Sequence, residues 1–200
     1  MGETMSAEAA EHRSPWPVPP ENGYTVDDLF TLPDLPPHTQ LIDGSLVFVS
    51  TQRIYQVLVI DMLMTGLGRT VPPELMPVRQ MAVRLDDRNA PEQDIMVIRA
   101  DALTDLDQCH FAARDVLLAV SVVSPQSEGR DRVTKPMKYA AAGVPHYWRV
   151  ERDGVTDQPI AHVYELDPLT RSYVHMGLQR DRVRVAEPYA IDIGLTITKP

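Results

Sequence analysis

Residues 115–151, DVLLAVSVVSPQSEGRDRVTKPMKYAAAGVPHYWRVE, leave little choice of local structure. Val116–Val123 is almost wholly apolar and rich in β-branched residues, the pattern of a strand buried on both faces. Ser124-Pro125 ends it. From about Ser127 to Ala142 the period becomes helical. Val133, Met137, Ala140 and Ala141 form one face, and Asp131, Lys135 and Lys138 gather on another. Gly143 stops the helix as a left-handed cap and Pro145 keeps it from resuming. His146–Glu151 returns as a second apolar strand. Strand–helix–strand of this kind implies a parallel strand pair with a covering helix, hence an α/β sheet.

The rest of the chain supplies more strands. Thr25 can cap a short helix, with Asp28 at its third position. Asp43-Gly44 between Gln40–Ile42 and Leu46–Val49 is a hairpin signal. Arg53–Gly68 reads as an amphipathic helix. Leu75–Leu85 reads as a strand, irregular at Pro77, and Asp94–Ile98 as a short buried one. Arg99–Arg114 is a polar excursion with a helical turn at Ala102–Leu106. Ala161–Leu166 and Ser172–Leu178 form a C-terminal hairpin, and Val183–Val185 and Ala190–Ile193 read as edge strands. The expected architecture is a mixed sheet flanked by helices. The proline-rich segment 1–22 is expected to be a disordered tail, and 23–200 a single domain.

A formal charge of −9 argues against general affinity for nucleic acid, whose recognition calls for basic patches. The run Arg130, Arg132, Lys135, Lys138 against Asp131 alone reads as a solvated helix face. Cys109 is the lone cysteine, which excludes an internal disulfide and points to a reducing compartment. With no apolar run near a membrane span's length and no leader-like apolar segment, a cytoplasmic protein without membrane contact is expected. The six histidines lack zinc spacing, and the serines lack a nucleophile elbow.

The polar groups that converge at the strand ends are Asp94, Ser121 and Lys135. Two acids and a lysine there would hold Mg²⁺ through oxygen, activate water and neutralise a phosphate. In this chain one acid of such a set is absent.

The string VSVVSPQSEGRDRVTKPMKYAAAGVPHYWRVE, with LIDGSLVFV and VYELDPLTRSY, resembles the Uma-type family of restriction-endonuclease-like proteins of the PD-(D/E)XK nuclease superfamily. The resemblance covers about residues 24–195, and its wording is similar to versions common in actinobacteria. It implies the PD-(D/E)XK fold, with the C-terminal hairpin added. It also implies a Mg²⁺-dependent centre. The first acid falls on Asp94, an extra metal contact on the carbonyl of Val122, and the lysine on Lys135, with Asp131 one turn before it. The family's second acid is Ser121 here, its PD proline is Gln93, a glutamate is Gln40 and a histidine is Gln56. Two functions follow from the resemblance. One is a degenerate or repurposed member, holding a small molecule, nucleic acid or protein partner in the old cleft. The other is an active Mg²⁺-dependent DNA endonuclease. A homodimer is compatible with either.

Overall fold

The computed structural model describes residues 19–198. Residues 1–18 of the expected tail lie outside the described residues. Helix α1, Val26–Thr31, starts at a reciprocal cap in which Thr25 and Asp28 satisfy each other's backbone N–H. Strands β1, Gln40–Ile42, and β2, Ser45–Val47, form the expected hairpin. Asp43 and Gly44 both take positive φ, 50° and 75°, as a tight two-residue turn requires. Helix α2 follows at Ile54–Thr70, then β3 at Leu75–Arg84 and β4 at Glu92–Arg99.

The polar excursion contains a strand that its composition hides. A 3₁₀ turn forms at Ala100–Ala102, earlier than expected, and β5, His110–Ala112, pairs in parallel with β3. Phe111 alone carries that short strand into the core. β6, Val116–Val122, leads through α3, Lys135–Ala141, to β7, His146–Arg152, which is parallel to β6. Gly143 adopts φ 87°, the left-handed cap. β8, Pro159–Asp167, and β9, Ser172–Gln179, complete a seven-stranded mixed sheet in the order β5-β3-β4-β6-β7-β8-β9.

β10, Arg182–Val185, and β11, Ile191–Gly194, do not extend this sheet as edge strands. They pair only with each other and turn back over α2. The reason is apolar area. Val183, Ile191, Ile193 and Leu195 bury against α2 and one sheet face, in the core that holds Leu63, Leu67, Val120 and Trp148. Tyr189 completes the seam by donating to the carbonyl of Leu67 at 2.9 Å. The opposite sheet face packs Met96, Ala119 and Tyr147 against Tyr139 of α3.

α3 differs from the sequence pattern in two respects. Its N-terminal side is a π-helical turn, Arg130–Thr134, which contributes one extra residue to the turn. The face turned to the sheet carries Asp131, Lys135 and Tyr139, all buried, while Val133 and Met137 are 59% and 67% exposed. Lys135 is therefore not part of a solvated basic face.

β3 is irregular too, at Gln80 rather than at Pro77. Pro77 stays in register opposite Val97, whereas Gln80 takes φ 55° and drops out of the pairing between Arg79–Ile95 and Met81–Gln93. Met76 and Val78 before it, and Met81 and Val83 after it, reach the same core face. The strand therefore shifts its in–out alternation by one residue at Gln80, while its register against β4 stays the same.

Candidate functional site

The ladder between β4 and β6 begins at Ile95 opposite Val120. Just before it, at the one residue of β4 there that pairs with neither neighbour, the side chain of Asp94 takes over. Its Oδ2 accepts the backbone N–H of Val122 at 2.7 Å. Removal from water pushes the Asp94 carboxyl up to about 6. The neighbouring Lys135 charge and the Val122 N–H pull it down, and Asp131 and Glu92 push it further up.

The inward face of the π-turn and α3 meets this strand end. Lys135 Nζ donates to the carbonyl oxygen of Glu92 at 3.0 Å and lies 3.2 Å from Asp131 Oδ1. Both partners of that ion pair are almost fully buried. The other side of Glu92 is its carboxylate, which pairs with His38 Nδ1 at 2.9 Å.

Ser121 faces a different set of groups. Its hydroxyl oxygen accepts from the Tyr147 hydroxyl at 2.7 Å and from the Gln93 amide at 3.1 Å, and it has no exposed surface. The Tyr147 hydroxyl also points at the carbonyl oxygen of Asp131, 3.3 Å away, so the node ties β6, β7 and the π-turn together. Burial raises the Tyr147 phenol well above its ordinary range, keeping it a neutral donor. The carbonyl of Val122 is met by the Gln56 amide at 3.5 Å, while Gln56 Oε1 accepts the Arg53 N–H at 3.2 Å.

Asp94, Val122, Asp131 and Lys135 line a common cavity of about 530 Å³, together with Gln40, Gln56 and Gln80. Ser121 is not in its wall. Three of the four residues singled out in the sequence thus converge, and the fourth lies beneath them, sealed by Tyr147 and Gln93. Sequence reasoning did not find Tyr147 or Gln80 as parts of the arrangement. Tyr147 sits 26 residues from Ser121 and meets it only because β6 and β7 lie side by side. The positive φ of Gln80 left no trace in residue type. Among the described residues no group of three or more His, Cys, Asp or Glu side chains converges as a metal-holding cluster, and no helix is long and apolar enough to cross a membrane.

Residues 26–198 match the Uma2 family, described as "Putative restriction endonuclease". The fold is also similar to a solved structure described as a putative nuclease belonging to DUF820 from Anabaena variabilis ATCC 29413. The two share 14% sequence identity and a TM-score of 0.62, over 82% of this chain and 89% of that one. At that identity the likeness is one of fold. No curated protein matches the chain.

Proposed function

The chain belongs to the Uma2 family and has a nuclease-like fold, and from that premise we propose that it no longer hydrolyses phosphodiesters and instead binds a ligand in the ancestral cleft. One observation carries the reading. The position that the resemblance assigns to the second acid holds Ser121, an uncharged hydroxyl with no exposed surface, already accepting from Tyr147 and Gln93. A hard divalent cation wants six oxygen ligands, with carboxylates among them. Asp94 offers one oxygen free of the Val122 N–H, and the other two acids of the cavity, Glu92 and Asp131, are paired with His38 and Lys135. The Val122 carbonyl has the Gln56 amide against it. Lys135 is held between Asp131 and the Glu92 carbonyl, so it is not free to follow charge on a phosphate. These residues do not fit the metal the family implies.

The test combines calorimetric titration of Mg²⁺ and Mn²⁺ with plasmid cleavage by the wild type, Asp94→Ala and Ser121→Glu. No saturable metal heat and no cleavage by the wild type is the expected outcome. Cleavage by the wild type that disappears in Asp94→Ala would overturn the reading.

A second reading, an active Mg²⁺-dependent DNA endonuclease, is favoured by one feature. Asp131 lines the same cavity as Asp94 and stands beside the lysine, its Oδ1 3.2 Å from Lys135 Nζ. In that case Asp131 replaces the missing acid, and Asp131→Asn abolishes cleavage as fully as Asp94→Ala.

A further inference from the structure

His162 of β8 and His175 of the edge strand β9 take no part in the cleft. Thirteen residues separate them in the chain, so no spacing in the sequence links them. The strand pair brings them together. His162 lies two residues before Tyr164 on β8, hence on the same face, and His175 stands opposite Tyr164. Between them the ladder bulges. Met176 has no partner on β8, and Gly177 beside it takes φ 150°. A bulge of this kind twists the pair locally and re-aims side chains.

The outcome is two imidazoles set nitrogen to nitrogen. His162 Nδ1 is 3.4 Å from His175 Nε2, with ring centroids 5.4 Å apart and planes tilted by 39°. A protein N–H usually donates across about 2.9–3.0 Å, so 3.4 Å leaves a weak hydrogen bond. The separation matches something else. Two Zn–N bonds of about 2.0–2.1 Å at the tetrahedral angle place their nitrogens about 3.3–3.4 Å apart. Neither ring makes another hydrogen bond among the described residues. His175 is exposed and His162 half-buried, so an ion reaches both from solvent. Tyr164 braces the His175 ring at 5.0 Å. Burial, with Arg149 adding to it, holds His162 below the usual histidine range, which keeps the imidazole neutral for ligation. The cations nearby, Arg149 and Arg132, both pair with Glu151, and Arg132 also pairs with Glu128.

We propose that His162 Nδ1 and His175 Nε2 form a surface site for a borderline divalent transition-metal ion such as zinc, with water on the remaining positions. Such an ion clips the edge strand β9 to β8. The site is independent of the cleft and differs from it in chemistry. Imidazole favours copper, nickel and zinc, with manganese last in the series, and a hard ion such as Mg²⁺ prefers oxygen.

Calorimetry with Zn²⁺ on the full chain, free of any histidine tag, tests this. Saturable binding of one ion per chain is expected, and no heat from Mg²⁺. His162→Gln and His175→Gln are each expected to weaken zinc roughly tenfold or more, since each removes half of the protein's donors. Zinc is expected to raise the melting temperature of the wild type and not that of the double variant. Cys109 and His110, 3.7 Å apart between Sγ and Nδ1, are the competing pair, so Cys109→Ser is expected to bind as the wild type does. The inference is overturned if the wild type binds no zinc at millimolar concentration. Binding that survives in the two histidine variants, or that disappears in Cys109→Ser, overturns it equally.

Discussion

The hydroxyl of Tyr147 donates to Ser121 Oγ across 2.7 Å inside a fully buried node between two parallel strands. The Gln93 amide donates to the same oxygen. Tyr147→Phe removes one donor and leaves Ser121 still satisfied by Gln93. A loss of about 1 kcal/mol in urea unfolding is expected. Ser121→Ala leaves the Gln93 amide without an acceptor and the Tyr147 hydroxyl with only the longer contact to the Asp131 carbonyl, so it is expected to cost more, about 2 kcal/mol. If Tyr147→Phe proves the worse of the two, the hydroxyl's contact with the Asp131 carbonyl carries the node rather than its bond to Ser121.

Ser121→Glu puts a carboxylate where no water reaches. At neutral pH it is expected to destabilise by several kcal/mol, and by less at pH 5, where protonation relieves it. Unfolding curves of this variant at the two pH values check the sign.

Asp94 gives a second pH dependence, with a sign opposite to that of ordinary surface acids. Its folded pKa is raised to about 6 from 3.8, so the folded chain holds the proton more tightly than the unfolded one. This group's contribution therefore improves as pH falls from about 6 toward 3.8, and it is a cost above 6. A shift of this size corresponds to no more than ~3 kcal/mol. Asp94→Asn is expected to be more stable relative to wild type at pH 7.5 than at pH 4.5. Asp153, held at about 2 mainly by the backbone N–H groups of Thr156 and Val155, acts oppositely and loses its contribution only below 3.8. The two effects occupy different windows.

Lys135 and Asp131 form an ion pair whose two side chains are almost wholly removed from water. Lys135→Met strands a buried carboxylate and is expected to cost about 3–5 kcal/mol. Asp131→Leu combined with Lys135→Met is expected to recover most of that loss. A double-mutant cycle in urea measures the coupling, and purely additive losses would show that the pair is electrostatically idle.

Gly66 of α2 faces Ile193 of β11. A Cβ added there would lie 2.6, 2.7 and 2.8 Å from three side-chain atoms of that isoleucine. Gly66→Ala is expected to destabilise by about 1–3 kcal/mol through overpacking, and Ile193→Ala in the same chain to relieve the clash. Thermal melts of the two single variants and the double variant decide it.

Much of the architecture was legible because it rests on periodicity. The β6–α3–β7 unit, the Asp43-Gly44 hairpin and the Thr25 cap follow from residue type over a few positions. β5 was not legible, since three residues in a polar segment acquire strand form only by pairing with β3. β10 and β11 were seen as strands but not as a cover for α2, which depends on contacts with residues more than a hundred positions away. α3 was assigned the wrong inner face. Its apolar stripe pointed to Val133 and Met137, but a carboxylate and an ammonium four residues apart satisfy each other and take the buried side. That spacing in Asp131 and Lys135 was the signal available. At the site, Asp94 and Lys135 are legible from their places at the strand ends and Val122 from the family resemblance, while the sealing of Ser121 depends on Tyr147 across the β6–β7 pair.

The irregularity at Gln80 divides β3 into two lengths, both paired with β4 in one register. Both lengths reach the core, through Met76 and Val78 before Gln80 and Met81 and Val83 after it, and Gln80 itself lines the cavity. The side chain at that seam can be exchanged without displacing either set of core residues. A chemistry kept in such a place is separable from its scaffold. It can be dismantled or replaced by a few substitutions, while the hydrogen-bonded frame persists for some other use.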